Sequence, residues 1–289
     1  MNAARMLFQI RNALSNLNPS EVREQARVPV SIELFASTPK IHDEMANYFA
    51  PSHQMSAERF EEVAGLIRRG GESTIPAVIR IYEEGVPHLP GAFVYLRNKP
   101  EKVVCDILDA KPELKLALAR QFVPFRKPVS DDIIFNVSKE NALFSVATSV
   151  PTLMPILALP WAVGEFASDT AFLTMNQIRM AFMLAAANDR TVGYREQKSE
   201  IASLFAGAFG WRAIARELIG VIPMGAGIVP KAAIAFGGTF VMGMSLERFY
   251  RIGYGMTPAE RKQAYRDAVE RGKTIATNLL NSYRTQKAG

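Results

Sequence analysis

Apolar positions along this chain change their rhythm near residue 125. Before that point they come in short bursts. Val28, Val30, Ile32 and Leu34 alternate with polar neighbours and predict a strand, and Thr38-Pro39 then opens a helix with Ile41, Met45, Tyr48 and Phe49 inward. Ser56 to Arg69 predicts an amphipathic helix stopped by Gly70-Gly71, followed by strands over Ile75 to Tyr82 and Ala92 to Leu96. Helices are expected from Pro100 to Leu108 and Pro112 to Gln121, and a short amphipathic helix over Met1 to Leu17. Such alternation predicts a small α/β layer over residues 1–125.

Beyond the boundary the apolar residues merge into long blocks. Phe122 to Pro128 holds two prolines and two aromatics and predicts a stiff connector, with Ser130 capping the next helix. Asn141 to Gly164 contains no charged residue over 24 positions, against the roughly 20 needed to cross a bilayer. Pro151, Pro155 and Pro160 interrupt it, leaving open a broken or re-entrant membrane segment and a buried soluble loop. Leu218 to Leu246 is the second block, with Lys231 its only charge and Ala233 and Gly237 spaced as a close-packing helix face. The class expected is α+β: a degenerate α/β layer at residues 1–125, then a mostly helical domain at 126–289 with two apolar segments suited to a membrane.

Between the blocks, Glu165 to Ala187 sets polar groups into hydrocarbon. On a helix Asp169, Leu173, Asn176 and Met180 share one side, with Gln177 and Arg179 on its flanks. An unpaired buried amide or charge costs on the order of several kcal/mol, so a hydrogen-bonded hub is expected. Arg212 and Arg216 repeat the four-residue spacing of Glu165 and Asp169, which predicts an interhelical ladder.

Charge sharpens the picture. The net +6 lies entirely in residues 218–289, which carry 10 Lys+Arg against 4 Asp+Glu. A basic segment directly after an apolar one has the pattern of an anchor on anionic membrane lipid, with Arg248 and Arg251 facing the head groups. Thr257 to Glu260 reads as a capping box opening a long charged helix. Tyr265 and Tyr283 are too sparse for a nucleic-acid stacking surface, and the single Cys105 fits a reducing compartment.

Catalytic patterns are missing. The first strand leads into Phe35-Ala36-Ser37-Thr38-Pro39-Lys40, with no glycine to bring backbone N–H groups against a phosphate and a proline that removes one. His42, His53 and His88 have no second ligand at metal spacing, and neither a nucleophile elbow nor a kinase or metalloprotease signature occurs. A protein that is not an enzyme and holds no cofactor is the expectation.

Pro124-Phe125-Arg126, Pro151 to Pro160, Asp169 through Asn176-Gln177 and Arg179-Met180, Val192-Gly193-Tyr194 and the Ile222-Pro223 to Gly227 turn together resemble a bacterial family of unknown function. It is the GTPase-associated helical membrane domain that includes the YcjF-like proteins, and the likeness covers about residues 120–250. The resemblance implies a membrane-linked module with a GTPase partner, held at the bacterial inner membrane with the bulk of the chain cytoplasmic. It carries over no catalytic residue. The expected function is thus a non-catalytic membrane-associated accessory or adaptor, with self-association into a homo-oligomer left open. The alternatives are a divergent nucleotide-binding regulator and a soluble helical protein that binds an apolar ligand between its uncharged blocks.

Overall fold

A computed structural model of the chain describes residues 18–71, 77–88, 90–149, 169–202 and 227–288. The chain divides into two compact units. One takes Glu21–Ser130 with Ala186–Arg190, and the other takes the remaining described residues.

The first unit carries most of helix α1 (Pro19–Arg27), strand β1 (Ile32–Phe35), α2 (Pro39–Phe49), α3 (Ala57–Ala64), β2 (Ile67–Arg69), β3 (Ile79–Glu83), β4 (Phe93–Tyr95), α4 (Glu101–Ala110) and α5 (Lys115–Gln121). Its four strands form one parallel sheet in the order β2-β1-β3-β4. Ile32 and Leu34 register with Ile79 and Ile81 and are buried. The intervening residues line the other face, where Glu33 meets Arg80 at 3.2 Å and the Phe35 and Tyr82 rings stack at 4.3 Å. Thr38 caps α2, accepting from Ile41 N–H, and Pro39 occupies its first turn, where no N–H is needed.

Two sequence expectations fail here. The helix expected from Ser56 to Arg69 ends at Ala64, and Ile67–Arg69 leaves it to become edge strand β2. The stretch Phe122 to Pro128 is mostly helix, because α6 runs without a break from Val123 to Ser149, through Pro128 and past Ser130. Pro124 sits in the first turn, and the bond lost at Pro128 is offset by packing: Phe125 is fully buried, 6.1 Å from the Phe49 ring and 6.4 Å from Phe122. Ser130 is therefore a buried mid-helix residue that accepts from Asn188 Nδ2 at 3.4 Å.

The described part of the second unit is helical. It contains the rest of α6, most of α7 (Asp169–Ala187), and the whole of α8 (Ile228–Ile252) and α9 (Pro258–Ala288). Aromatic pairs fill its core, Phe144 on Phe172 at 3.7 Å and Phe135 against Phe236 at 6.0 Å. The Ala233/Gly237 face of α8 meets α9 of the same chain. A Cβ at Gly237 would lie 2.8 Å from Val269, and one at Gly272 would lie 2.9 Å from the Cα of Ala233, so only hydrogen allows this approach. Opposite, Gly243 faces Ile134 and Met180. The buried stripe Tyr265, Ala268, Val269, Gly272 and Ala276 leaves Arg261, Lys262, Arg266 and Arg271 outward on α9. The capping box forms as expected, with Thr257 N–H donating to Glu260 at 2.8 Å and Glu260 N–H to Thr257 Oγ1 at 3.3 Å.

Among the described residues one helix, α8, is long and apolar enough to cross a membrane, where the sequence suggested two segments. In its most apolar window 56% of it is buried by the protein itself. Residues 150–164 of the other block lie outside the described residues.

Candidate functional site

Two of the residues expected in a polar hub, Asn176 and Gln177, lie in a buried hydrogen-bonded cluster whose other members are not the expected ones. Asn176 and Gln177 of α7 are buried, as are Asn141 of α6 and Thr239 of α8. Asn141 is the centre: its Oδ1 accepts from Asn176 Nδ2 at 2.9 Å, and its Nδ2 donates to Thr239 Oγ1 at 2.8 Å. Gln177 Nε2 also donates to Thr239 Oγ1, at 3.3 Å. Three helices are thereby tied through neutral groups, each bond contributing about 1 kcal/mol net and each lost partner costing about 1–3 kcal/mol. Thr239 had a signal in sequence, as a polar residue deep in an apolar block.

Arg179 turns instead to Glu140 on α6, at 2.5 Å. Burial pushes the Glu140 carboxyl above its usual range even though Arg179 pulls the other way. Asp169 opens α7, and its side chain is outside what the structure describes, as are Glu165, Arg212 and Arg216; the ladder falls there too. Lys231, at the start of α8, donates to Thr148 Oγ1 at 3.1 Å. Amides and a hydroxyl without a titratable group lock helices in register; they do not activate a nucleophile or move a proton.

Arg248 and Arg251, expected to face lipid, both pair with acids of their own chain. Arg248 meets Glu260 at 2.8 Å and lies over the Tyr254 ring at 5.1 Å, and Arg251 meets Glu247 at 2.8 Å. The Arg248 bond and those from Thr257 pull the Glu260 carboxyl down to about 2. Around these pairs the end of α8 is apolar and open: Phe249 is 39% exposed, Ile252 41% and Tyr254 59%. Gly253 makes this rim by ending α8 in the left-handed region (φ 87°), a conformation a Cβ would oppose. The sequence reading named the arginines of this rim and missed its aromatics.

At the carboxyl ends of β1 and β3, where parallel sheets commonly bind phosphates, an acid of the chain is already in place. Glu83 is buried and its Oε2 accepts from Ser37 N–H at 2.7 Å. Among the described residues no three of His, Cys, Asp and Glu gather as metal ligands. No family model, curated protein or solved structure matches this chain.

Proposed function

We propose that the chain is a non-catalytic accessory protein that docks on anionic lipid through the rim at the end of α8. What supports this reading is the exposure of Phe249, Ile252 and Tyr254 beside Arg248 and Arg251 at the end of α8. Aromatic rings with one apolar and one polar edge favour the head-group level, and nearby Lys or Arg contribute about 1 kcal/mol each on an anionic surface. The sheathing of α8 by its own chain favours surface docking over insertion as a bare span. The carboxylate of Glu83 at Ser37 N–H argues against a nucleotide phosphate at that end of the sheet. The YcjF-like resemblance adds the bacterial inner membrane as the surface and a GTPase as the partner to be recruited there.

Membrane fractionation of the expressed full chain tests this. Wild type is expected in the membrane fraction and released by carbonate, with the triple variant Phe249→Ser, Ile252→Ser, Tyr254→Ser moving to the soluble fraction. Release by detergent alone would overturn surface docking in favour of insertion. A wild-type chain wholly in the soluble fraction would favour the apolar-ligand alternative, which the burial of α8 also fits.

A further inference from the structure

The first unit holds a second polar cluster, built on charge. Asp189 is the single non-glycine residue with positive φ among the described residues, at 56°. Its carboxylate faces three guanidinium groups: Arg59 Nε at 2.7 Å, Arg120 Nη2 at 3.5 Å and Arg126 Nη2 at 3.8 Å. Arg59 is well occupied, since it also meets Glu62 at 2.7 Å and the Arg120 carbonyl at 3.2 Å. The other two are held loosely. Arg120 donates to the Arg190 carbonyl at 3.4 Å, and the buried Nε of Arg126 has no hydrogen-bond partner among the described residues.

One carboxylate, with Glu62 at its edge, does not balance these cations. Burial pushes both Arg120 and Arg126 below the usual guanidinium range, and the attraction of Asp189 does not restore them. Arg27 adds positive field at Arg120 and Arg190 adds it at Arg126. The side chains of Arg59, Arg120 and Arg126 remain 22%, 23% and 22% exposed, so solvent reaches them. A planar guanidinium with free N–H groups matches an oxyanion through paired, charge-assisted hydrogen bonds.

We propose that Arg120 and Arg126, with Asp189 as fixed counter-ion, form a binding site for a phosphate group. A phosphate dianion supplies the charge the cluster lacks and accepts from the donors that Asp189 reaches at 3.5 and 3.8 Å. The group comes from a soluble phosphate monoester or a lipid head group, and both present the same oxygens. This site is independent of the α8 rim.

Titration calorimetry on the full chain, with inorganic phosphate, glycerol 3-phosphate and monomeric dihexanoyl phosphatidic acid at matched ionic strength, tests the proposal. Saturable binding is expected, weakened about tenfold or more in Arg126→Gln, the loss of a charge-assisted pair. Asp189→Asn tolerates the left-handed backbone and removes the competing anion, so it is expected to bind phosphate more tightly than wild type. Preference for dihexanoyl phosphatidic acid assigns a lipid head group, and equal binding of all three assigns a soluble phosphate. If wild type and Asp189→Asn respond to phosphate no more than to chloride, the cluster is a structural clasp and the proposal is wrong.

Discussion

The two polar clusters solve opposite problems. Around Asn141 the partners are neutral and come from the chain itself, joining α6, α7 and α8 at distances of 2.8 to 3.5 Å. Around Asp189 the partners are charged, the cations outnumber the acid, and two of the three approaches exceed hydrogen-bond length. A satisfied neutral network specifies which helix faces meet, and leaves nothing for an outside molecule. An unbalanced ionic cluster within reach of solvent leaves a great deal. Burial of polar groups alone thus says little about function; the balance of donors and acceptors says more.

The largest expected effect lies in the neutral cluster. Asn141→Leu strips Asn176 and Thr239 of their shared partner and is expected to destabilise the chain by about 3 kcal/mol in urea unfolding, equally at low and high salt. A loss below about 1 kcal/mol would mean that water replaces the amide and that the hub is not closed.

Asp189→Asn should cost less, about 1–2 kcal/mol at low ionic strength, because the three arginines lose their common counter-charge while the backbone stays tolerated. In about 1 M salt most of that penalty should vanish, since the Debye length shrinks to about 3 Å. A penalty indifferent to salt would erase the contrast drawn between the clusters.

The smallest effect is a pH dependence that charged contacts have and amides lack. Glu260 in the folded chain is held down to about 2, below its ordinary 4.5, so its contribution is present above 4.5 and lost as pH falls through about 2. The unfolding midpoint of wild type should fall over that window relative to Glu260→Gln, which starts lower at neutral pH and lacks this acid-dependent step. Parallel acid limbs in the two proteins would remove Glu260 from the balance.

Sequence periodicity carried the reading furthest where structure is local. The strand expected over Val28 to Leu34, which forms only from Ile32 to Phe35, the Thr38-Pro39 helix start and the Thr257 to Glu260 capping box are each specified by neighbours within a few residues. Strand β2 escaped notice because three residues, Ile67 to Arg69, continue an amphipathic pattern and become a strand only by pairing with β1. Pro128 looked like the end of a connector because its effect on a helix is local, whereas the burial of Phe125 that overrides it is tertiary. Asn176 and Gln177 are legible as buried polar groups on an apolar helix, and Thr239 as a polar residue inside an apolar block, but their meeting at Asn141 is not, since nothing local pairs residues 35 to 98 positions apart. Arg59, Arg120, Arg126 and Asp189 are scattered through the chain, and only the fold assembles their charge.

The claim that α8 meets lipid by its end, with its length covered by the protein, is tested most directly by a reporter at Ile252. With Cys105→Ser removing the native exposed thiol, Ile252→Cys labelled with an environment-sensitive fluorophore would be titrated with phosphatidylglycerol vesicles. A blue shift is expected that phosphatidylcholine vesicles reproduce only weakly and that salt reverses; an emission spectrum unchanged by anionic vesicles would mean that the end of α8 does not meet lipid.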